Sequence, residues 1–117
     1  MKGLKELIEV YRTTIIYQWN NCLRSDPFIP APQNTYQVDG NEKGSSTTPL
    51  SDCRHALWML DEMDKMLADP LLARLGDQDL LTKFHRWLGF VQGVLWVHGI
   101  FSLDELREDT RKATHAA

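Results

Sequence analysis

Cysteine is scarce: the 117 residues contain two, so no disulfide framework can hold the chain together. Cys22 and Cys53 each fall on an apolar helical stripe, and the expectation for both is a reduced, buried thiol. Neither sign of charge is in large excess. Lys and Arg number 13 and Asp and Glu 16, for a net charge of -3. That balance excludes bulk attraction to a phosphate backbone, which needs clustered cations. It is also too mild for a protein that imitates nucleic acid by charge. Long apolar runs are missing as well. The nearest, Trp87–Phe101, is too short for a membrane span and includes Gln92 and His98. Met1–Val10 carries charges throughout and does not read as a signal peptide. The expectation is a cytoplasmic protein with no membrane contact, with residues 1–117 as a single helical domain.

The motifs of catalysis and cofactor binding are absent too. His55, His85 and His98 occur singly, with no H-x-x-x-H or C-x-x-C spacing, so neither a metal nor a cofactor is expected. The carboxylates of Asp61-Glu62-Met63-Asp64-Lys65 read as a solvated helix face. No nucleophile elbow, phosphate loop or dinucleotide fingerprint appears. Cys53 has Arg54 and His55 beside it, but neighbouring residues on a helix point apart. No catalytic residue is assigned, and the chain is read as non-enzymatic.

Helical periodicity is plentiful. Leu4, Leu7, Ile8, Tyr11, Ile15, Trp19, Cys22 and Leu23 predict an amphipathic helix over residues 3–24. Residues 25–49, with Pro27, Pro30, Pro32, Pro49, Gly40 and Gly44, predict a long Pro/Gly/Ser-rich loop. Phe28, Ile29, Tyr36 and Val38 could pin its first half to the core. A second helix is predicted from Thr48 or Ser51 to Ala68, with Cys53, Leu57, Leu60, Met63 and Leu67 inward. Asp69-Pro70 breaks it. Leu71–Leu75 could add a short turn closed by Gly76, after which Asp77 caps a third helix over 78–98. Leu81, Phe84, Leu88, Val91, Leu95 and His98 lie along one side of that helix, and Gly99 is its natural left-handed terminator. Ser102-Leu103-Asp104-Glu105 fits a capping box, with Phe101 and Leu106 placed as a hydrophobic staple. This opens a last helix to about Ala113, with residues 114–117 expected to fray. No strand pattern appears. The fold expected is an all-α bundle of four helices.

Residues 85–99, HRWLGFVQGVLWVHG, are the most apolar part of the chain and hold three glycines. His85, Gly89, Gly93 and Trp96 share one strip of the third helix and are read as a helix-contact face. Each glycine weakens a helix by roughly 1 kcal/mol relative to alanine. Three neighbours could offset that: another helix of this chain, with the first helix the leading candidate; a second copy across a dimer axis; or a flat ligand between His85 and Trp96. With Trp87, Phe90, Val94 and Val97 also present, the helix is expected to be buried nearly all round, as the centre of the structure.

Two patches are chemically rich. Arg54-His55-Ala56-Leu57-Trp58 and His85-Arg86-Trp87 each combine cation, imidazole and indole. If the helices bring them together, Arg54, His55, Trp58, His85 and Arg86 would line a pocket that stacks a base and holds a phosphate. The plainer reading keeps the indoles in the core and the arginines at the surface.

The string RHALWMLDEM, followed by HRWLGFVQGVLWVHGIFSLDELREDTR, resembles a group of small accessory proteins of tailed bacteriophages and prophages. In these an R-W-L-G-x-x-Q-G-like helix precedes a short Leu-Asp-Glu-Leu-type helix. The resemblance covers Arg54 to Arg111. It implies a setting, an accessory gene product in the cytoplasm of an infected bacterium, and no residue roles. The expectation is a protein-binding module that engages or inhibits a host factor, a defence component among the candidates, with self-association as a dimer. The alternative is a nucleotide-binding or nucleotide-sequestering protein. A structural part in the virion is a third reading.

Overall fold

A computed structural model describes residues 2–23, 49–70 and 78–115. The expectations placed on the Pro-rich loop, on Leu71–Leu75 and on the Asp77 cap lie outside these residues, as do the side chains of Cys22 and Leu23. Helix α1 spans Lys2–Gln18 and runs into a π-helical turn, Trp19–Leu23. The wider turn departs from the single regular helix predicted over 3–24. It still turns Trp19 inward, and its mouth is closed by the Asn21 amide donating to the Tyr17 carbonyl at 2.8 Å. Helix α2 spans Pro49–Ala68, with proline in the first turn, where its missing N–H is no loss. Helix α3 spans Gln78–Val97 and helix α4 spans Leu103–His115. Among the described residues these four helices and the π-helical turn are the whole of the regular structure, with no strand, as the sequence predicts. No helix among them is long and apolar enough to cross a membrane.

The predicted stripes form the core. Leu4, Leu7, Ile8, Tyr11, Ile15 and Trp19 of α1 are buried with Cys53, Leu57, Leu60 and Met63 of α2, Phe84, Leu88, Val91 and Leu95 of α3, and Leu106 of α4. The centre is α1 rather than α3. Helix α1 packs on α2 and α4, whereas α3 packs chiefly on α2. The expectation that α3 is buried all round fails. Its large apolar residues opposite Phe84 have no helix over them, and Phe90, Trp96 and Val97 are exposed. Apolar side chains are a requirement for a core, not proof of one.

Two local devices set the α3–α4 turn. Helix α3 ends in a Schellman motif: Gly99 sits at φ 72°, its N–H reaches the Trp96 carbonyl at 3.0 Å, and the Ile100 N–H reaches Leu95 at 2.9 Å. At the start of α4, Ser102 Oγ accepts from the Glu105 N–H at 3.1 Å. Glu105 Oε1 accepts from the Ser102 N–H at 3.2 Å, which completes the predicted capping box. Phe101 packs on the core and tilts against Tyr11 at 5.9 Å. Helix α4 continues past its predicted end. Thr114, expected to fray, is helical and returns its hydroxyl to the Thr110 carbonyl at 2.8 Å.

Between α3, α4 and α1 lies one polar node. The Gln92 amide donates to Thr110 Oγ1 at 2.7 Å, to Tyr11 Oη at 3.2 Å and to the Leu106 carbonyl at 3.3 Å. With two N–H groups for three acceptors, one of these bonds is shared. The Tyr11 hydroxyl in turn donates to Asp109 at 3.1 Å. Across the molecule, the His98 imidazole Nε2 meets the Asp52 carboxylate at 3.2 Å, tying the end of α3 to the start of α2. Arg12 reaches from α1 to Asp61 of α2 at 2.7 Å.

Two predictions follow from these contacts. Ser102→Ala should destabilise the fold by about 0.5–2 kcal/mol through the lost cap. Gln92→Leu should cost about 1–3 kcal/mol, because buried acceptors lose their donor; urea unfolding reads both. A third prediction concerns pH. The unfolded Cys53 thiol ionises near 9.0, while burial, with Asp52 adding to it, pushes the folded thiol up to about 12. Burial also raises the Tyr11 phenol well above its ordinary range. Between the unfolded and folded values only the unfolded chain has released its proton. Stability should therefore fall as pH rises from 9.0 towards 12, read as a declining urea midpoint.

Candidate functional site

Residues on a helix advance by about 100° each, so α3 has separable sides. Its buried stripe faces the core. Trp87 and Phe90 lie on the flank towards α2, and His85, Gly89, Gln92 and Trp96 lie on the flank towards α4. This geometry splits the predicted Arg/His/Trp pocket. His55 and Trp58 of α2 do meet α3, but they meet Trp87 and Phe90. The Trp58 and Trp87 rings tilt together at 5.6 Å, His55 stacks on Trp58 at 5.6 Å, and Phe90 stands edge-on to His55 at 5.8 Å. Lys83 Nζ caps the series 5.1 Å from the Trp87 ring.

The expected convergence of Arg54, His55, Trp58, His85 and Arg86 is therefore corrected. His85 sits on the other flank of α3, edge-on to Phe84 of its own helix at 5.7 Å, and Arg86 points outward and is exposed. Arg54 is half-buried on α2. The two indoles touch each other, so no base can be interleaved between them. Nor is Cys53 a nucleophile: it is buried, and its raised pKa keeps it a thiol at neutral pH.

On the opposite flank, the contact strip opens on a groove of 420 Å³ between α3 and α4. Gly89, Gln92, Gly93 and Trp96 form one wall, and Leu103, Leu106, Arg107 and Thr110 the other. Its base is held by the Gln92 node, which bolts α3 to α4 below the rim. The glycines do not serve the purpose expected within the chain. A Cβ built on Gly89 or Gly93 meets nothing within 4 Å, so neither α1 nor any other described helix approaches them. Among the described residues, then, no helix of the chain serves as the neighbour expected for this strip. The reason lies in the turn at 98–102, which sends α4 back against α1 and leaves the outer side of α3 open.

Large apolar side chains are exposed at the groove and elsewhere on α3. Trp96 is 51% exposed, Val97 64%, Phe90 54% and Leu103 48%. Sequence reasoning singled out Trp96 and the glycines but assigned Phe90 and Val97 to burial and passed over Leu103 and Arg107. Their angular position opposite Phe84 was the readable signal. Side chains on both sides of a helix can be buried only if the chain supplies helices for both. Chemically, the face can bury large apolar groups, with glycine floors that admit a backbone or ring closely and polar groups at the rim. Compared with protein-family models, with curated proteins and with solved structures, the chain finds no match.

Because no described residue approaches the glycines, the sign of their substitution in the isolated chain follows. Gly89→Ala and Gly93→Ala should each stabilise it by roughly 0.5–1 kcal/mol, by removing backbone freedom from the unfolded state. Chemical denaturation of dilute protein should show both midpoints rising; a fall would place a neighbour on the strip.

Proposed function

We propose that this chain is a non-enzymatic protein-binding module whose docking surface is the outer face of α3 with the α3–α4 groove. The observation that carries the reading is the exposure of Trp96 and Leu103 on the two walls of a glycine-floored groove, with Val97 also exposed on the outer side of α3. Water contact with large apolar side chains at the mouth of a groove is unfavourable, and exposure of this kind marks an interaction site. A Trp beside a small hole is the usual energetic centre of such contacts. The rim is polar, with Arg107 and Thr110 on one side, as an interface that must also exist uncovered requires. The wider setting is the one implied by the resemblance to phage accessory proteins. The module acts in the bacterial cytoplasm and occupies a surface of a host factor or of another copy of itself. The nucleotide alternative lacks the convergence of His85 and Arg86 with Arg54, His55 and Trp58 on which it depended.

The test is positional. A photo-crosslinking side chain at Val97, in chain produced inside bacterial cells, should give a discrete covalent adduct with protein. The same group at the exposed Lys5 of α1 should not. Equal labelling at both positions, or none at Val97, would remove this face as the docking surface.

A further inference from the structure

We infer that helix α4 is a detachable strap. It undocks from α1 as one unit, swinging on the turn at 98–102, while α1, α2 and α3 stay packed together. The inference goes beyond the reading of the docking surface and does not depend on it.

What fastens α4 differs in kind from what fastens the other helices. Helices α1, α2 and α3 share most of the apolar core, and paired side chains tie them further. Arg12 of α1 holds Asp61 of α2 at 2.7 Å, and His98, just past α3, meets Asp52 of α2 at 3.2 Å. The Trp58 ring of α2 lies 5.6 Å from Trp87 of α3. Helix α4 fully buries Leu106 alone, with Ala113 and the preceding Phe101 partly buried against the core. Its ion pairs, Arg107 with Asp104 and Arg111 with Glu108, both lie within the helix. Among the described residues, no salt bridge ties it to another helix. Helix α3, its neighbour in sequence, barely packs on it.

The remaining fastenings are hydrogen bonds. The Tyr11 hydroxyl donates to Asp109 at 3.1 Å, and the Gln92 amide donates to Thr110 at 2.7 Å and to the Leu106 carbonyl at 3.3 Å. Water replaces such bonds when a helix leaves, so each holds it only modestly. Buried apolar area has no such substitute. Helix α4 therefore has less to lose on leaving than α1, α2 or α3.

The turn suits this motion. The Gly99 and Ile100 N–H groups bond back to Trp96 and Leu95 of α3. The Ser102 and Glu105 bonds close on the start of α4 itself. Among the described residues no backbone hydrogen bond crosses Phe101. Both caps therefore survive a change of backbone dihedrals between them, as a hinge requires. Opening breaks tertiary contacts and leaves the helix ends intact.

Opening has two effects. It uncovers the flank of α1 at Tyr11, a residue that is fully buried when α4 is docked. It also dismantles the α3–α4 groove, whose second wall is Leu103, Leu106, Arg107 and Thr110. The groove belongs to the closed state alone, so the strap switches it on and off. Off α1, the 13 residues of α4 are marginal as a helix. Its amides then meet water while those of α1, α2 and α3 do not.

Native-state hydrogen exchange of the full chain, followed by mass spectrometry over a series of urea concentrations, tests this. Amides of α4 should exchange about tenfold or more faster than those of α2. Their rate should depend little on urea until global unfolding overtakes it. Phe84→Leu should speed exchange in α2 and α3 and leave α4 unchanged, because that part of the core persists in the open state. Tyr11→Phe should speed exchange in α4 about two- to tenfold, since it removes a bond that opening breaks. Exchange of α4 in step with α2 at every urea concentration overturns the inference. So does an α4 that Phe84→Leu speeds as much as α2. Protection that declines gradually towards His115, with Tyr11→Phe without effect, also overturns it, because the helix then frays without undocking. Should Phe84→Leu not fold, the urea series on the parent chain decides by itself.

Discussion

The structure depends on the burial of α1's apolar stripe from two sides. Ile8, Tyr11, Ile15 and Trp19 are nearly inaccessible because α2 covers one flank and α4 the other. Without α1, α4 would be joined to the α2–α3 pair only through the turn at 98–102 and the Gln92 bonds to Leu106 and Thr110. Helix α2 is likewise covered by α1 and α3, whereas α3 and α4 need less. Helix α3 is satisfied by α2 along its buried stripe, and α4 commits a single fully buried residue, Leu106. The short α4, with its charged outer surface, is held by what it touches on α1 and by the polar node at Gln92, not by a broad apolar face of its own.

That node has a geometric effect. A glutamine that must reach Tyr11, Thr110 and the Leu106 carbonyl together fixes α4 against α1 and next to α3 at one height. Gln92 also lines the groove between α3 and α4, so the residue that joins the two helices is part of its wall. Glycines at 89 and 93 deepen the same opening. Binding surface and fold are two outcomes of one set of constraints.

Much of the fold is legible in the sequence, for reasons that differ by element. The stripes of α1, α2 and α3 follow from helical spacing, and nearly all their members are buried. The α3–α4 turn follows from local chemistry: Gly99, Ser102 and Glu105 act within a few residues of one another, so no tertiary knowledge is needed. What could not be read is which helix covers which. The apolar richness of α3 suggested a central position. Placement, however, is decided by α4 returning to α1, and that is set by the direction of a five-residue turn and by a Gln92–Tyr11–Asp109 chain linking residues 98 apart. The site shares this limit. Gly89, Gly93 and Trp96 were legible as a strip, and the open space over the glycines was not. Angular position could have separated His85 from Trp87, because two residues along a helix face nearly opposite ways. The pocket reading failed by treating neighbours in sequence as neighbours in space.

The contact of α1 with α4 also has a consequence in time. Tyr11 and Asp109 meet across a sequence separation of 98, whereas the hairpin of α3 and α4 is set by hydrogen bonds of short reach. As the chain leaves the ribosome, at about 5–20 residues per second, α1 emerges first and α4 well after it. For several seconds one flank of the α1 stripe has no native cover, and it is a target for chaperones or for another nascent copy. The hairpin can form within microseconds once it is out, so the last step of folding is its docking onto a helix that has waited longest. Coexpression of slow- and fast-translated versions of the same chain would set how long that exposed interval lasts.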